Sequence, residues 1–179
     1  MMRRTLSFAA LAMLTLSIVA AAPASLGPPW ISIEYPPSPY DASTRDAFLL
    51  VHTFHHGTPI VAPVTGKAEG VVGGERRSVT LKFSGTSRTG VFALNKQWPS
   101  EGTWVLFITG SQGPDDDVTA VVELAANGQV AAVRVPTERR GSWMVPSDVT
   151  AAERESILKS RLAMNGGEKG AVAAARPPR

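Results

Sequence analysis

Apolar residues in this chain come in short runs, and a glycine or proline stands at almost every break between them. The 14 prolines and 16 glycines are spread along the sequence. Proline removes a backbone donor and glycine weakens helix interiors, so such spacing disfavours long helices and suits turns between strands. Trp30-Ile31-Ser32-Ile33-Glu34-Tyr35 alternates and stops at Pro36-Pro37, the period-two pattern of a half-buried strand. Ala47 to Phe54 is the most apolar stretch and reads as a central strand, and Val64 to Val72 is a third, weakened by Gly66 and Gly70. Gly73-Gly74-Glu75 reads as a turn into Arg77 to Phe83. Gly90 to Leu94 and Thr103 to Thr109 follow, and Asp117–Ala125 and Gln129–Pro136 flank Asn127-Gly128, the dipeptide best suited to a type I′ hairpin turn. Seven to eight short strands at close spacing predict an all-β, antiparallel sandwich or barrel.

The two ends read differently. Arg3 and Arg4, the apolar run Leu6 to Ala20 and the small residues Ala22-Pro23-Ala24 have the layout of a secretory leader over residues 1–24, cut after Ala24. The run is shorter than a bilayer-spanning helix needs, so no stable membrane span is expected after cleavage. Without the leader, 16 basic residues face 15 acidic ones. That balance offers no dense basic stripe for nucleic acid. There is no cysteine, which excludes disulfides, thiolate metal sites and thiol nucleophiles. The sandwich is expected over 25–140, followed by a linker and helix over 141–164. Ser147 or Asp148 is the expected cap of a helix from Thr150 to Met164, with Glu153 and Glu155 early and Lys159 and Arg161 late, as the helix dipole prefers. Ile157, Leu158 and Leu162 give it a thin apolar face, and residues 165–179 are expected to be a disordered, low-complexity tail.

The segment Arg88 to Leu94, followed by Gln97-Trp98-Pro99-Ser100-Glu101-Gly102-Thr103-Trp104 and the apolar Val105 to Ile108, resembles exported bacterial immunoglobulin-like domains of the YtkA-like and FixH-like kind. Pro63 to Gly70 is similar to the small-residue strand of those domains, and the likeness covers roughly residues 30–110. It implies an immunoglobulin-like antiparallel β-sandwich of seven to eight strands and an exported compartment, not an activity. The chain lacks the Met-rich or His-rich ligand sets of copper-handling relatives. Read from the residues alone, Trp98 and Trp104 are core or core-rim side chains; a carbohydrate-binding platform would need them exposed and coplanar.

Chemistry concentrates in His52-Thr53-Phe54-His55-His56, which holds every histidine. Imidazoles bind zinc and copper, so His52, His55 and His56 are the candidate metal ligands. On a strand, His52 and His56 share a face roughly 13 Å apart, with His55 opposite, which is too far for one ion. If the strand ends at Phe54, His55 and His56 fall in a turn and are free to converge with a carboxylate. Asp115-Asp116-Asp117 is a calcium candidate in residue type, but adjacent carboxylates diverge, and a solvated hairpin loop is expected. Arg76-Arg77 and Arg139-Arg140 read as solubilising pairs. No nucleophile elbow, H-E-x-x-H, P-loop or dinucleotide fingerprint is present. Glu34, Glu69, Glu101 and Glu123 stand singly, with nothing to make a glycosidase pair of them.

These features predict an exported, non-enzymatic β-sandwich, periplasmic or extracellular. It would bind a protein partner of the envelope or extracellular space, or serve a structural role there. The alternative is a periplasmic copper- or zinc-binding domain using His52, His55 and His56.

Overall fold

The alternating runs form two antiparallel sheets. The computed structural model describes residues 27–113 and 115–174, with side chains as far as Ala163, so the expected leader and residues 175–179 lie outside the described residues. One sheet has the order β1 (Trp30–Glu34), β2 (Leu49–His55), β7 (Val91–Leu94) and β6 (Ser84–Gly85), with β3 (Thr58–Pro59) beside the end of β2. The other runs β10 (Val130–Arg134), β9 (Asp117–Leu124), β8 (Thr103–Ser111), β4 (Val64–Val72) and β5 (Glu75–Thr80). The chain changes sheet after β3, after β5 and again after β7, which is the Greek-key order of an immunoglobulin-like sandwich.

Inward side chains of both sheets make the core. Ile31, Leu49, Val51 and Leu94 meet Ala68, Leu106, Ile108, Val118, Ala120 and Val122, all buried. Trp98 and Trp104 are core residues, 4% and 3% exposed. Trp98 meets the edge of Phe48 at 5.0 Å, and Trp104 Nε1 donates to the Glu101 carbonyl at 2.8 Å. Gly70 is required here by close approach, because a Cβ would collide with the Thr103 carbonyl and lie 2.7 Å from the Trp104 ring.

Two turns differ in kind from expectation. Asn127-Gly128 is not a two-residue I′ turn. Gly128 alone has positive φ, and Ala125 bonds to both Gly128 and Gln129, the pattern of a type I turn closed by a left-handed glycine. Two-residue loops with both φ values positive or glycine-supplied occur instead at His56-Gly57 (48° and 79°) and Gly73-Gly74 (60° and 88°).

After β10 the chain makes a hairpin absent from the sequence reading, β11 (Thr137–Arg140) and β12 (Trp143–Pro146), so the stretch from 141 begins inside a turn rather than a linker. Helix α1 (Ala151–Ala174) follows. It lies on the outer face of the second sheet, where Val105, Phe107 and Val121 pack with Val149, Leu158 and Ile157. A polar frame surrounds this second core. The guanidinium of Arg154 lies 4.5 Å from the Phe107 ring centre and 3.4 Å from Glu69, and Arg161 donates to the Leu124 carbonyl at 2.8 Å. No helix among the described residues is long and apolar enough to cross a membrane.

The helix is capped two or three residues later than the sequence implied, at Thr150. Glu153 N–H donates to the Thr150 hydroxyl at 3.2 Å, and Thr150 N–H donates back to the Glu153 carboxylate at 2.9 Å, a reciprocal capping box. Asp148 instead accepts a short hydrogen bond from the wholly buried Thr119 hydroxyl, and Ser147 accepts from Thr119 N–H at 3.1 Å. The Asp148 carboxylate and the Ser147 backbone carbonyl thereby fix the entry to the helix.

The Thr150 hydroxyl and backbone N–H hold the Glu153 carboxyl below its ordinary value. A depressed carboxyl stabilises the fold above its unfolded pKa, and that contribution is lost as pH falls through the folded value. Helix content followed by far-UV circular dichroism should therefore fall on acidification through and below the ordinary carboxylate range, and Glu153→Gln should remove that part of the dependence. Thr150→Ala should cost about 1 kcal/mol in denaturant unfolding at neutral pH.

Candidate functional site

The histidine strand is built by β2 and its turn. Leu49, Val51 and Thr53 point into the core, so His52 and Phe54 emerge on the outer face, their rings parallel at 6.1 Å. His52 Nε2 lies 2.9 Å from Glu34 Oε2, which pairing with β1 brings alongside. Arg88 approaches the same carboxylate at 3.6 Å and reaches Asp41 at 3.9 Å. His52 is thus committed to a polar cluster on the sheet face. His55 closes β2 opposite Thr58, and His56 begins the turn, with the two rings edge to face at 4.2 Å. The His55 Nδ1 atom is buried without a hydrogen-bond partner. The structure brings His55 and His56 together and leaves His52 with Glu34. Among the described residues no group of three or more histidine, aspartate or glutamate side chains is placed to hold a metal ion.

The strands run so that the His56–Pro63 connection and the Gln112–Asp116 loop share one end of the sandwich. Ser111 N–H donates to the Pro63 carbonyl at 3.1 Å, and a shallow depression lined by Ile60, Val61, Pro63, Gln112 and Gly113 joins the two loops. Asp115 and Asp116 were expected in a solvated loop, but Asp116 is only 4% exposed. Arg140, expected to be solubilising, reaches it at 3.5 Å from the β11–β12 hairpin. The hydrogen bond from Arg140 to Glu138, reinforced by Asp116, raises the guanidinium pKa above its ordinary value. The hairpin is thereby pinned to the loop end, and its tip presents Trp143, 75% exposed, with Met144 also exposed. Arg139 lies opposite Met144 in the ladder.

This hairpin is the part that sequence reasoning missed. Thr137-Glu138-Arg139-Arg140 carries no apolar alternation, and its only signal is Gly141, whose φ of 62° makes the turn. No family model, curated protein or solved structure matches the chain.

If Asp116 anchors the hairpin, Arg140→Ala should free it without unfolding the sandwich. Amide exchange across 137–146 should speed up roughly tenfold or more, while β8 and β9 keep their protection. Equal protection in the variant would show that the ion pair does not hold the hairpin.

Proposed function

We propose that this protein is an exported immunoglobulin-like module, of the YtkA-like and FixH-like kind, that works by binding a protein partner in the envelope or outside the cell and carries no catalytic chemistry. The observation that carries the reading is Trp143, three-quarters exposed at the tip of a hairpin whose facing residue there, Arg140, pairs with Asp116 of the sandwich. An exposed tryptophan at a hairpin tip suits a binding anchor, since interface energy concentrates in such side chains. It also stands at one loop end of the sandwich, the end with which immunoglobulin domains of the variable type contact their ligands.

The test is a photo-reactive amino acid placed at position 143 of the full chain in its native envelope, with the same group at Tyr40 as the control. Tyr40 is 97% exposed in the connection at the other end of the sandwich. A discrete protein adduct from position 143 and none from position 40 is expected, and Trp143→Ala should weaken the captured interaction by about 2 kcal/mol. Adducts of equal pattern from both positions would overturn the reading. Intact mass of the same material checks removal of residues 1–24.

A second reading keeps one observation: two imidazoles in contact, one with a buried free nitrogen. Copper or zinc held by His55 and His56 should give saturable heat in calorimetry at micromolar metal, abolished in the His55→Ala/His56→Ala variant. No saturable heat would end the metal reading.

A further inference from the structure

The second sheet has two unlike edges. β5 is guarded by Glu75, Arg76 and Arg77, charged side chains that discourage pairing with another chain. β10, Val130-Ala131-Ala132-Val133-Arg134, ends the sheet on the other side with no proline, no lysine and no carboxylate. After a bulge, its ladder with β9 is regular from Ala132 to Arg134, so one row of its backbone N–H and C=O groups faces outward unpaired by any strand. Helix α1 runs beside this edge. A groove lies between them, lined by Ala132, Val133, Arg134, Ser156, Ile157 and Ser160. Ser156 and Ser160 are one helical turn apart and small, which leaves width for a chain alongside β10.

We infer that the groove between β10 and α1 receives an extended peptide segment of the protein partner, added to the sheet as a further strand. This rests on the binding reading above and names its ligand chemistry. Main-chain bonds to the open edge supply affinity, and alternate side chains supply selection. Val133 pairs with Val122 on the inward side of the sheet and is 42% exposed, so peptide side chains on that side are apolar. On the helix side, Arg134 and Arg161 lie 2.9 and 4.0 Å from the single carboxylate of Glu123 and pair with no other carboxylate among the described residues. Two guanidiniums on one carboxylate leave a surplus positive charge, which a peptide carboxylate opposite Arg134 would balance. A second copy of this chain fits less well: antiparallel pairing of two β10 strands about Ala132 sets Arg134 against the other copy's Val130 and brings no carboxylate.

The probe is a displayed library of random linear peptides, panned on the mature protein. Enriched sequences should be proline-free over the binding core, alternate apolar residues and carry one carboxylate. A resynthesised winner should bind at least about tenfold more weakly to Val133→Lys, whose lysine guards the edge as β5 is guarded. Arg134→Gln should erase the preference for the carboxylate and keep the apolar alternation. No enrichment, proline-rich winners, or winners indifferent to Val133→Lys would overturn the inference. So would a wild-type dimer in solution that Val133→Lys dissolves. Adducts from position 143 with no enrichment here would sink the groove and leave the binding reading standing; failure of both would remove both.

Discussion

Trp104, Leu106 and Ile108 point into the sandwich, Val105 and Phe107 point out of it, and all five are buried. A strand apolar on one face needs one covering layer; a strand apolar on both needs two. The first sheet covers the inner face of β8, as in any sandwich. The outer face needs another cover, and α1 supplies it through Val149, Ile157 and Leu158. Everything after β10 follows from that demand. The chain must leave an edge strand, turn back at the loop end and set its helix down over the middle of the sheet.

The placement of charge serves the same end. Glu69 and Glu123 stand at the two ends of one outward row across β4, β8 and β9, with Val105 between them. Arg154 reaches Glu69 and Arg161 reaches Glu123, with Leu158 between the arginines on the same helix face. Two turns of helix thus match the width of three strands. Partly exposed ion pairs contribute little each, so burial of Leu158 and its neighbours carries the attachment, and the arginines fix where along the sheet the helix lies. The near balance of 16 basic and 15 acidic residues over 25–179 hides this pairing, in which two carboxylates of the sheet meet two guanidiniums of the helix.

The strands were legible because a half-buried strand must alternate, and the eight expected runs all appear. The helix was legible in place, but its function as a second lid was not. Val105 and Phe107 alternate with Trp104, Leu106 and Ile108 in one unbroken apolar run, which marks a strand buried on both faces without saying what covers the second. Thr150-x-x-Glu153 carries the capping-box signature, yet Ser147 and Asp148 are equally good caps in isolation. Only the wholly buried Thr119, a strand away, takes up the Asp148 carboxylate and holds the Ser147 backbone to β9. The Asp116–Arg140 contact joins a loop to a hairpin across the tertiary fold, so no local pattern announces it. The histidines show the converse. Alternation along a strand already argues against one ion shared by all three, and the pleat of β2 with the turn at His56 divides them between a carboxylate on one face and each other at the strand end.

A lid helix also changes the meaning of a sheet edge. In an open sandwich the last strand offers backbone groups alone, and pairing there is indiscriminate. Here α1 stands over the sheet beside β10, so an added strand meets a wall on one side, with Ser156, Ile157 and Ser160 facing it. Selection then becomes possible, because side chains of one parity must fit that wall and those of the other must tolerate Val133. The opposite edge has Arg76 paired to Glu155 of the same helix at 2.6 Å and to Glu69 at 3.5 Å, which ties the helix to β5 and occupies the charges there. Satisfying the outer face of β8 therefore leaves the sheet with one edge tied to the helix through charge and one open, and the open edge is the one with a wall able to discriminate among strands.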